Sequence, residues 1–479
     1  MSAIPNTPYL KTVNLGYKYR LYPTQEQKNL LDHQMFVYNQ AYNICLNLWN
    51  KEQDKNKILD KKDRTYRKAT SYDKVVKRAL QYRKISFKTV VTQQARINFL
   101  KAVQKAFSKE TVSKRLKAIE NAQTPKEKTK AYKLGMPIFK SSKDVSQSFN
   151  WNNQGYQLKE HNNSKYIYLQ LMKTPIKLRY HRELPKGYKL SSITISKDSA
   201  GYYVSFGIEF KKSIDLEVSK ENLDISKSIG IDLNGYSIAV TQNANNIFQN
   251  KHNNQIKISQ EYLINNGAED RKKIRYAKIV KMLEKKQSRR VLKAKKSKTK
   301  LGANYKKTQQ KLNKKTKKLA NQKKDLYHKI SKTLIDKFEL IAVEDLKTKN
   351  MSKSSKGNEI NHGKMVKQKS GLNKTILNAS FYQFVAMLQY KQTMLNDKLL
   401  VKVNPAYTSL ECSRCGNRDK ANRPKQDKFQ CTKCGHKENP DIQASKTILK
   451  RGLESFGIGT IPMDLKHKAF RSASLEAAS

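Results

Sequence analysis

An α/β protein of several structural units, one of them closed around a metal ion near the C-terminus, is predicted by three observations. Short β-rich runs alternate with stretches of helical periodicity. Two Cys-x-x-Cys pairs lie between residues 412 and 434, and isolated acids interrupt or end strongly apolar strands. The chain of 479 residues allows about two to four units, and its 37% hydrophobic content is enough to fill folded cores.

Charge sets the class of partner. Lys and Arg total 98 against 39 acidic residues, a formal net charge of +59 that self-repels unless a polyanion is near. Duplex DNA carries one charge per ~1.7 Å, so this excess matches roughly thirty base pairs, more than a short operator. No apolar run reaches the ~18 residues of a spanning helix, and no secretory signal opens the chain, so a cytoplasmic, nucleoid-associated protein is expected, with no membrane partner.

The elements follow in order. Residues 15–22 (LGYKYRLY) alternate apolar or aromatic with basic side chains, including Lys18 and Arg20, as a half-buried strand does, and Pro23-Thr24 ends it. Residues 25–107 are mostly helical in pattern, with a Lys- and Arg-dense stretch at 51–85. From 135 to 210, MPIFK, YIYLQL, SITIS and YYVSFGIEF read as short strands of a small barrel or sheet. The strand near Tyr19 has no partner close by in sequence, so it joins this barrel with the helical block inserted between.

A new unit starts at Lys227 with KSIGIDLNGYSIAVTQ, two strands meeting at Asn234-Gly235, a strong hairpin signal. Residues 271–324 hold 24 Lys or Arg and a single acid, Glu284. Apolar residues interspersed at Ile279, Leu283, Val291, Leu312 and Leu319 favour basic helices lying on phosphate over a solvated tail. Lys285, Lys286, Arg289, Arg290, Lys314 and Lys315 are their expected nucleic-acid contacts. A separate helix is expected at 325–338, a strand at LIAVED, a mobile loop at 347–372, an amphipathic helix from 377 to 395 and a strand at LLVKV.

Cys412, Cys415, Cys431 and Cys434 form CxxC…CxxC, each pair followed by glycine, Gly416 or Gly435. Two tight turns presenting four thiolates suit one tetrahedral Zn²⁺, and four thiolates close its coordination sphere, so this zinc is structural. His436 is expected at the surface and Cys45, within AYNICLNLW, in the core. Asp232 interrupts the apolar strand SIGIDL, Glu344 ends LIAVED, and Asp441 opens the helical pattern PDIQASKTIL. Singly, each has an ordinary reading as a turn or cap residue. As a set, three carboxylates from strand, strand and helix suit two Mg²⁺ ions about 4 Å apart, as in phosphodiester hydrolysis. Glu344 and Asp345 point to opposite faces, and Glu344 is taken as the site residue. The hairpin-bearing first strand, the acid-ended later strand and the acidic C-terminal helix together suggest an RNase H-like α/β fold of the RuvC type.

KYRLYPTQEQ, GIDLNGYSIAV, the basic run ending in NQKKDLYHKISKTLI, IAVEDL, NPAYTSLECSRCG, FQCTKCGH and PDIQASKTIL together resemble the TnpB family of insertion-sequence nucleases. The likeness covers most of the chain in the family's order. It implies a transposon-encoded, RNA-guided DNA endonuclease whose partners are a guide RNA and target DNA, with a monomer favoured. Asp232, Glu344 and Asp441 would be its catalytic acids and the four cysteines its zinc ligands. The implied organisation is a wedge barrel (1–24 and 135–222) around a helical recognition lobe (25–134), then a RuvC-like core (223–403). A zinc ribbon (404–436), the C-terminal part of the core (437–465) and a disordered tail (466–479) would follow. Base pairing would supply specificity while the protein follows backbone shape. The chain departs from the family in having Pro440 before Asp441 and Gln443-Ala444-Ser445 after it, and residues 51–89 and 108–134 are long for it. Related readings are a compact type V CRISPR effector, a guide-independent transposase or resolvase, and a non-catalytic nucleic-acid-binding regulator. Retention of all three acids weighs against the last, and Asp441, an Asp as the final member of the set, weighs against a transposase, whose last member is typically Glu.

Overall fold

In this computed structural model, the described residues are 9–141, 144, 146–151, 155–214, 224, 227–234, 237–242, 261–265, 271–357, 361–392 and 399–455. The chain divides into two units, residues 1–214 and 215–479. No helix among the described residues is long and apolar enough to cross a membrane. The expected tail at 466–479 lies outside the described residues.

The first unit starts with β1 (Tyr9–Tyr22), longer than the alternation at 15–22 indicates because its N-terminal half pairs along β7. Pro23 and Thr24 turn the chain into α1 (Gln25–Asn56) through a capping box: the Gln27 amide donates to Thr24 Oγ1 at 3.3 Å, and the Thr24 amide donates to Gln27 Oε1 at 2.9 Å. Then come α2 (Ala69–Tyr82), α3 (Thr89–Ala106), α4 (Lys109–Glu120) and α5 (Pro125–Tyr132). The strands are β2 (Gln147–Trp151), β3 (Tyr156–His161), β4 (Ser164–Leu169), β5 (Ile176–Arg179), β6 (Lys189–Asp198) and β7 (Gly201–Ile214). They form one antiparallel sheet in the order β2-β6-β7-β1-β5-β4-β3, so β1 sits in the middle although five helices separate it from β2 in the chain. MPIFK is not a strand; Asn43 of α1 instead holds Lys140, accepting from its amide and donating to its carbonyl, both at 2.8 Å. Cys45 is buried, and burial pushes its thiol up to about 12, so it is an inert core residue.

The second unit is built on β8 (Ser228–Leu233), β9 (Ser237–Gln242), β10 (Glu261–Asn265), β11 (Leu340–Glu344) and β12 (Leu399–Val403). Their order is β10-β9-β8-β11-β12; β8, β9 and β10 run antiparallel in succession, while β11 is parallel to both β8 and β12. The β8–β9 pairing is the expected hairpin, although Gly235 of its turn lies outside the described residues.

Every residue of β8 and β11 is buried, because helices cover both faces, which is why these strands read as continuous apolar runs. On one face Ile229, Ile231, Ile341 and Val343 pack with Tyr327, Leu334, Phe384 and Leu388. Those residues come from α7 (Ala303–Lys337) and α10 (Phe381–Gln392). On the other face Leu340 and Ala342 meet Ile448, Leu449 and Leu453 of α11 (Pro440–Glu454).

Before α7 lies α6 (Arg271–Lys296), and α8 (Thr348–Met351) and α9 (Val366–Ala379) precede α10. Two expectations are corrected here. Residues 325–338 are not a separate helix but the end of the 35-residue α7, since no Gly or Pro interrupts the run from 303. The expected loop at 347–372 ends early, because α9 begins at Val366; the helix expected from 377 is then broken at Ser380, whose left-handed φ of 57° separates α9 from α10.

Two glycine contacts set how close α11 lies to the sheet. A Cβ on Gly230 of β8 would stand 2.2 Å from the Ser445 carbonyl oxygen, and one on Gly452 of α11 would stand 2.6 Å from Ala342 Cβ. Gly230→Ala is expected to push α11 outward and destabilise this unit by about 1–3 kcal/mol. The check is the midpoint of its thermal transition; a variant that melts with the parent would contradict the packing.

Candidate metal centre and nucleic-acid interface

Side-chain alternation places two of the expected acids. Gly230 and Ala342 face α11, so Asp232 and Glu344, two residues further along their parallel strands, face it too. The registered pair Ile231–Val343 is followed directly by these two acids, at the C-terminal ends of adjacent strands. Asp441 lies in the first turn of α11. It is not the helix cap: Asn439 Oδ1 accepts from the amides of Asp441 at 2.9 Å and Ile442 at 3.4 Å, which leaves the Asp441 carboxylate out of that role. Asp345 turns outward and pairs with Lys347 at 2.5 Å, which holds its carboxyl below the usual range.

The charges of the other two acids act on Asp232. Burial pushes the Asp232 carboxyl up to about 7, reinforced by the charges of Glu344 and Asp441; an Asn234 hydrogen bond of 3.0 Å and the Arg423 charge oppose the rise. Glu344 is also raised, mainly by burial, against a 2.5 Å hydrogen bond donated by Thr408 Oγ1 and the charge of Arg451. Thr408, Arg423 and Arg451 are site residues that the sequence reading passes over; Thr408 could have been suspected from its place in NPAYTSLEC, between strand end and cysteine pair.

Arg451 ties that segment down, donating to the carbonyls of Asn404 at 2.7 Å and Ala406 at 2.8 Å and pairing with Glu411 at 2.7 Å. Gln443, one of the departures after Asp441, is fully buried and donates to the Glu411 carbonyl at 2.8 Å. Ser445 is the residue whose carbonyl lies over Gly230.

Asp232 makes metal-free stability depend on pH. In an unfolded chain its pKa is about 3.9, so the folded state holds the extra proton between that value and about 7. The stability this proton confers is complete below the unfolded pKa and is lost as pH rises through about 7. In metal-free buffer Asp232→Asn, which never ionises, should therefore gain on the parent in melting temperature as pH rises from about 4 to about 7. A melting difference that stays constant over that range would contradict the buried position of this acid.

The cysteines form a compact set whose four sulfurs all lie within 4.8 Å of one another. Cys412 and Cys434 Sγ are 3.7 Å apart, and Cys415 and Cys431 Sγ 3.5 Å. A tetrahedron with ~2.3 Å Zn–S bonds has edges of about 3.8 Å, so zinc fits. The two turns are alike: Gly416 donates to the Cys412 carbonyl at 2.8 Å and Gly435 to that of Cys431 at 3.0 Å, with φ of 73° and 69° that only glycine adopts without strain. Asn422, fully buried, joins the turns by donating to the Leu410 and Asn417 carbonyls and accepting from the Thr432 amide. The two-residue strands β13 (Phe429–Gln430) and β14 (Lys437–Glu438) complete the element. His436 is partly exposed, 3.4 Å from Glu438, outside the sulfur cluster. Among the described residues, the four cysteines are the group of three or more candidate ligands close enough together to hold one metal ion.

The expected phosphate contacts divide. Lys18 and Arg20 are exposed on β1, and Lys285, Lys286, Arg289 and Lys314 are exposed on α6 and α7. Arg290 is instead committed to the α6–α7 hairpin, donating to the Asn304 carbonyl and Thr308 Oγ1, and Lys315 stacks 4.7 Å from the Tyr276 ring. Lys285 and Arg289 line a groove of about 1420 Å³ along with Lys281, Lys323 and Lys374.

Comparison with known families finds three matching segments. A Cas12f1-like TNB domain matches residues 381–448, a helix-turn-helix domain of the OrfB/IS605 type matches 13–66, and the family described as a probable transposase of the same type matches 267–355. In these segments the chain is similar to TnpB-family proteins. The segment matched as helix-turn-helix is a strand followed by one long helix, β1 and α1, and a short 3-10 turn at Lys61–Asp63.

A relative from Escherichia coli K12, named as a candidate RNA-guided DNA endonuclease InsQ, is 37% identical over 155 residues, 32% of this chain and 38% of the relative. The chain thus spans well under half the length of that relative. A Streptomyces pristinaespiralis protein, also named as a candidate RNA-guided DNA endonuclease, is 23% identical over 94% of this chain and 92% of its own length. Among solved structures, the Cas12f1–sgRNA–target DNA complex covers 91% of this chain and 98% of its own at 16% identity, with a TM-score of 0.43. CasPhi-2 bound to crRNA and phosphorothioate-DNA covers 95% of this chain and 92% of its own at 10% identity, with a TM-score of 0.44.

Proposed function

We propose that this chain is a transposon-encoded, RNA-guided DNA endonuclease whose site is formed by Asp232, Glu344 and Asp441 on an RNase H-like core of the RuvC type. The observation that supports the reading is the placing of Asp232 and Glu344 at the ends of adjacent parallel strands, facing the helix whose first turn holds Asp441, near enough that the charges of Glu344 and Asp441 add to burial in raising Asp232. A buried, mutually repelling acid set is unfavourable without cations, and it stands at the carboxyl ends of parallel strands, where open α/β sheets bind ligands. The sheet supports the fold assignment: numbered along the chain its strands run 3-2-1-4-5, the first three antiparallel and the last two parallel to the first.

Two Mg²⁺ ions held by these carboxyls would lower the pKa of an attacking water and neutralise charge on the leaving oxygen. The chain's own residues orient the acids. Thr408 fixes one oxygen of Glu344, and Asn234 fixes one of Asp232. Arg423 brings a positive charge to the side of Asp232, where it can meet a phosphate entering the site. Burial keeps Asp232 protonated near neutrality, and cation binding must expel that proton.

The +59 charge and the basic helices α6 and α7 supply backbone contacts, and pairing with RNA would supply the sequence. The seven-stranded sheet is read as the wedge, and α1 to α5 as the recognition lobe. The test is to purify the chain from its native host, sequence the RNA that comes with it, and challenge the complex with DNA complementary to that RNA. Cleavage confined to complementary DNA is expected. Equal cleavage of unrelated DNA, or cleavage persisting after the RNA is removed, would point to a guide-independent nuclease instead.

A further inference from the structure

Residues 404–411 join β12 to the first cysteine pair, and Thr408 among them donates to Glu344 Oε1 at 2.5 Å. The same hydroxyl lies 3.1 Å from the Pro405 carbonyl; it has one proton, and the shorter contact, to a carboxylate, takes it. Residues 404–410 form turns rather than a helix or strand, and Tyr407, immediately before Thr408, has a left-handed φ of 63°. A bulky residue keeps that conformation only where its surroundings impose it.

The surroundings are one stripe of α11. Gln443, Thr447 and Arg451 are spaced four residues apart and so lie on one face of the helix. Gln443 donates to the Glu411 carbonyl at 2.8 Å and accepts from Ser413 Oγ at 2.9 Å, and Thr447 Oγ1 reaches the same carbonyl at 3.3 Å. Arg451 spans the segment. One guanidinium nitrogen donates to the carbonyls of Asn404 at 2.7 Å and Ala406 at 2.8 Å, and another to the Glu411 carboxylate at 2.7 Å. Its side chain is 16% exposed and that of Glu411 10%, so the pair is largely shielded from water.

Anchoring the ribbon is the plain role for these contacts. Two observations ask for more. Glu411 is already paired with Arg418 at 3.0 Å, across a bridge within the ribbon itself, so its charge does not need Arg451. Arg451 also grips the chain on both sides of Thr408, at residues 404, 406 and 411, and touches neither zinc-binding turn in doing so. We propose that Arg451 is a positioning residue for the metal site: by fastening residues 404–411 to α11 it holds the Thr408 hydroxyl on Glu344. The helix that carries Asp441 in its first turn thereby also sets the place of Glu344. The Arg451 charge acts on Glu344 directly as well, favouring its ionised form. The proposal rests on the metal site assigned above to Asp232, Glu344 and Asp441.

The test is Mn²⁺ binding to the full-length chain, zinc-loaded and free of RNA, followed by the electron paramagnetic resonance of the unbound ion. The part of the binding that Asp232→Ala abolishes belongs to the acids. Arg451→Met and Thr408→Val should each weaken that part about 10- to 100-fold, the range for removing a residue that orients a metal ligand, while keeping their zinc. Thr408→Ser, which restores the hydroxyl, should bind like the parent. The Arg451→Met, Thr408→Val double variant should lose much less than the product of the two single losses, because most of the Arg451 effect passes through Thr408. Arg451→Lys keeps a cation beside Glu411 but not the planar fork, so it should bind more weakly than the parent; it carries the test should the Met variant fail to fold.

A folded Arg451→Met that loses its zinc would make Arg451 an anchor of the ribbon alone and would overturn the proposal. Parental Mn²⁺ binding by Arg451→Lys or Thr408→Val, or single losses that multiply, would overturn it too. In each of these cases Asp232→Ala still loses Mn²⁺ and the nuclease reading stands. Asp232→Ala that binds Mn²⁺ like the parent would instead remove both.

Discussion

Asp232→Ala is expected to abolish DNA cleavage while leaving RNA binding at the parental level. Asp232 is the most buried of the three acids and the one on which the other two act, and it stands at the centre of the set on β8. A cation held there supplies several kcal/mol of transition-state stabilisation, and each 1.36 kcal/mol is tenfold, so a loss of at least about 10³-fold is expected. The RNA-binding surfaces proposed above contain no part of β8, so retention of RNA separates lost chemistry from lost folding. Asp345→Ala is the matched control: it removes an adjacent carboxylate that faces Lys347 rather than the site, and cleavage should change little. Cleavage is measured with RNA-loaded protein and magnesium. Parental cutting by Asp232→Ala, or equal losses in the two variants, would remove the assignment.

The second large effect is expected on zinc removal. The element at 404–436 has a core of only Cys412, Phe429 and Cys431, and two-residue strands, far too little burial to offset the entropy of ordering it. Structural zinc supplies ~10–16 kcal/mol to such folds, so a strong chelator should unfold it. Read from sequence, the ribbon is independent of the acids. The structure joins them, because Thr408 holds Glu344 and the Glu411 carbonyl accepts from Gln443 of α11. Chelation should therefore also lower cleavage, by releasing Glu344, even though β8 and β11 stay folded. Hydrogen exchange tests both parts: amides of 404–436 should lose protection while those of β8 and β11 keep it. A ribbon that remains protected without zinc would contradict this.

The candidate site was legible because its strands are buried on both faces. In an apolar run such as SIGIDL or LIAVE an acid stands out, and the glycine after each cysteine pair marks a turn that needs positive φ. What closes the site was not legible, because it depends on contacts between distant segments. Nothing local in GIDL says that Gly230 lets α11 approach, or that Thr408 reaches back to Glu344. The misread elements have similar causes. MPIFK has strand propensity, but the side chain of Asn43 satisfies the Lys140 backbone in place of a ladder partner. The helix break at Ser380 is made by a backbone conformation that serine adopts only under tertiary constraint, and no Gly or Pro announces it. The long α7 spans both a basic and an amphipathic stretch, and the change in composition near residue 325 imitates a helix end.

The most direct measurement is anomalous scattering from crystals of the chain soaked in Mn²⁺. Two peaks about 4 Å apart, bonded between them to Asp232, Glu344 and Asp441, are the expected result. Crystals in which manganese binds elsewhere, with these three side chains directed away from one another, would contradict the account.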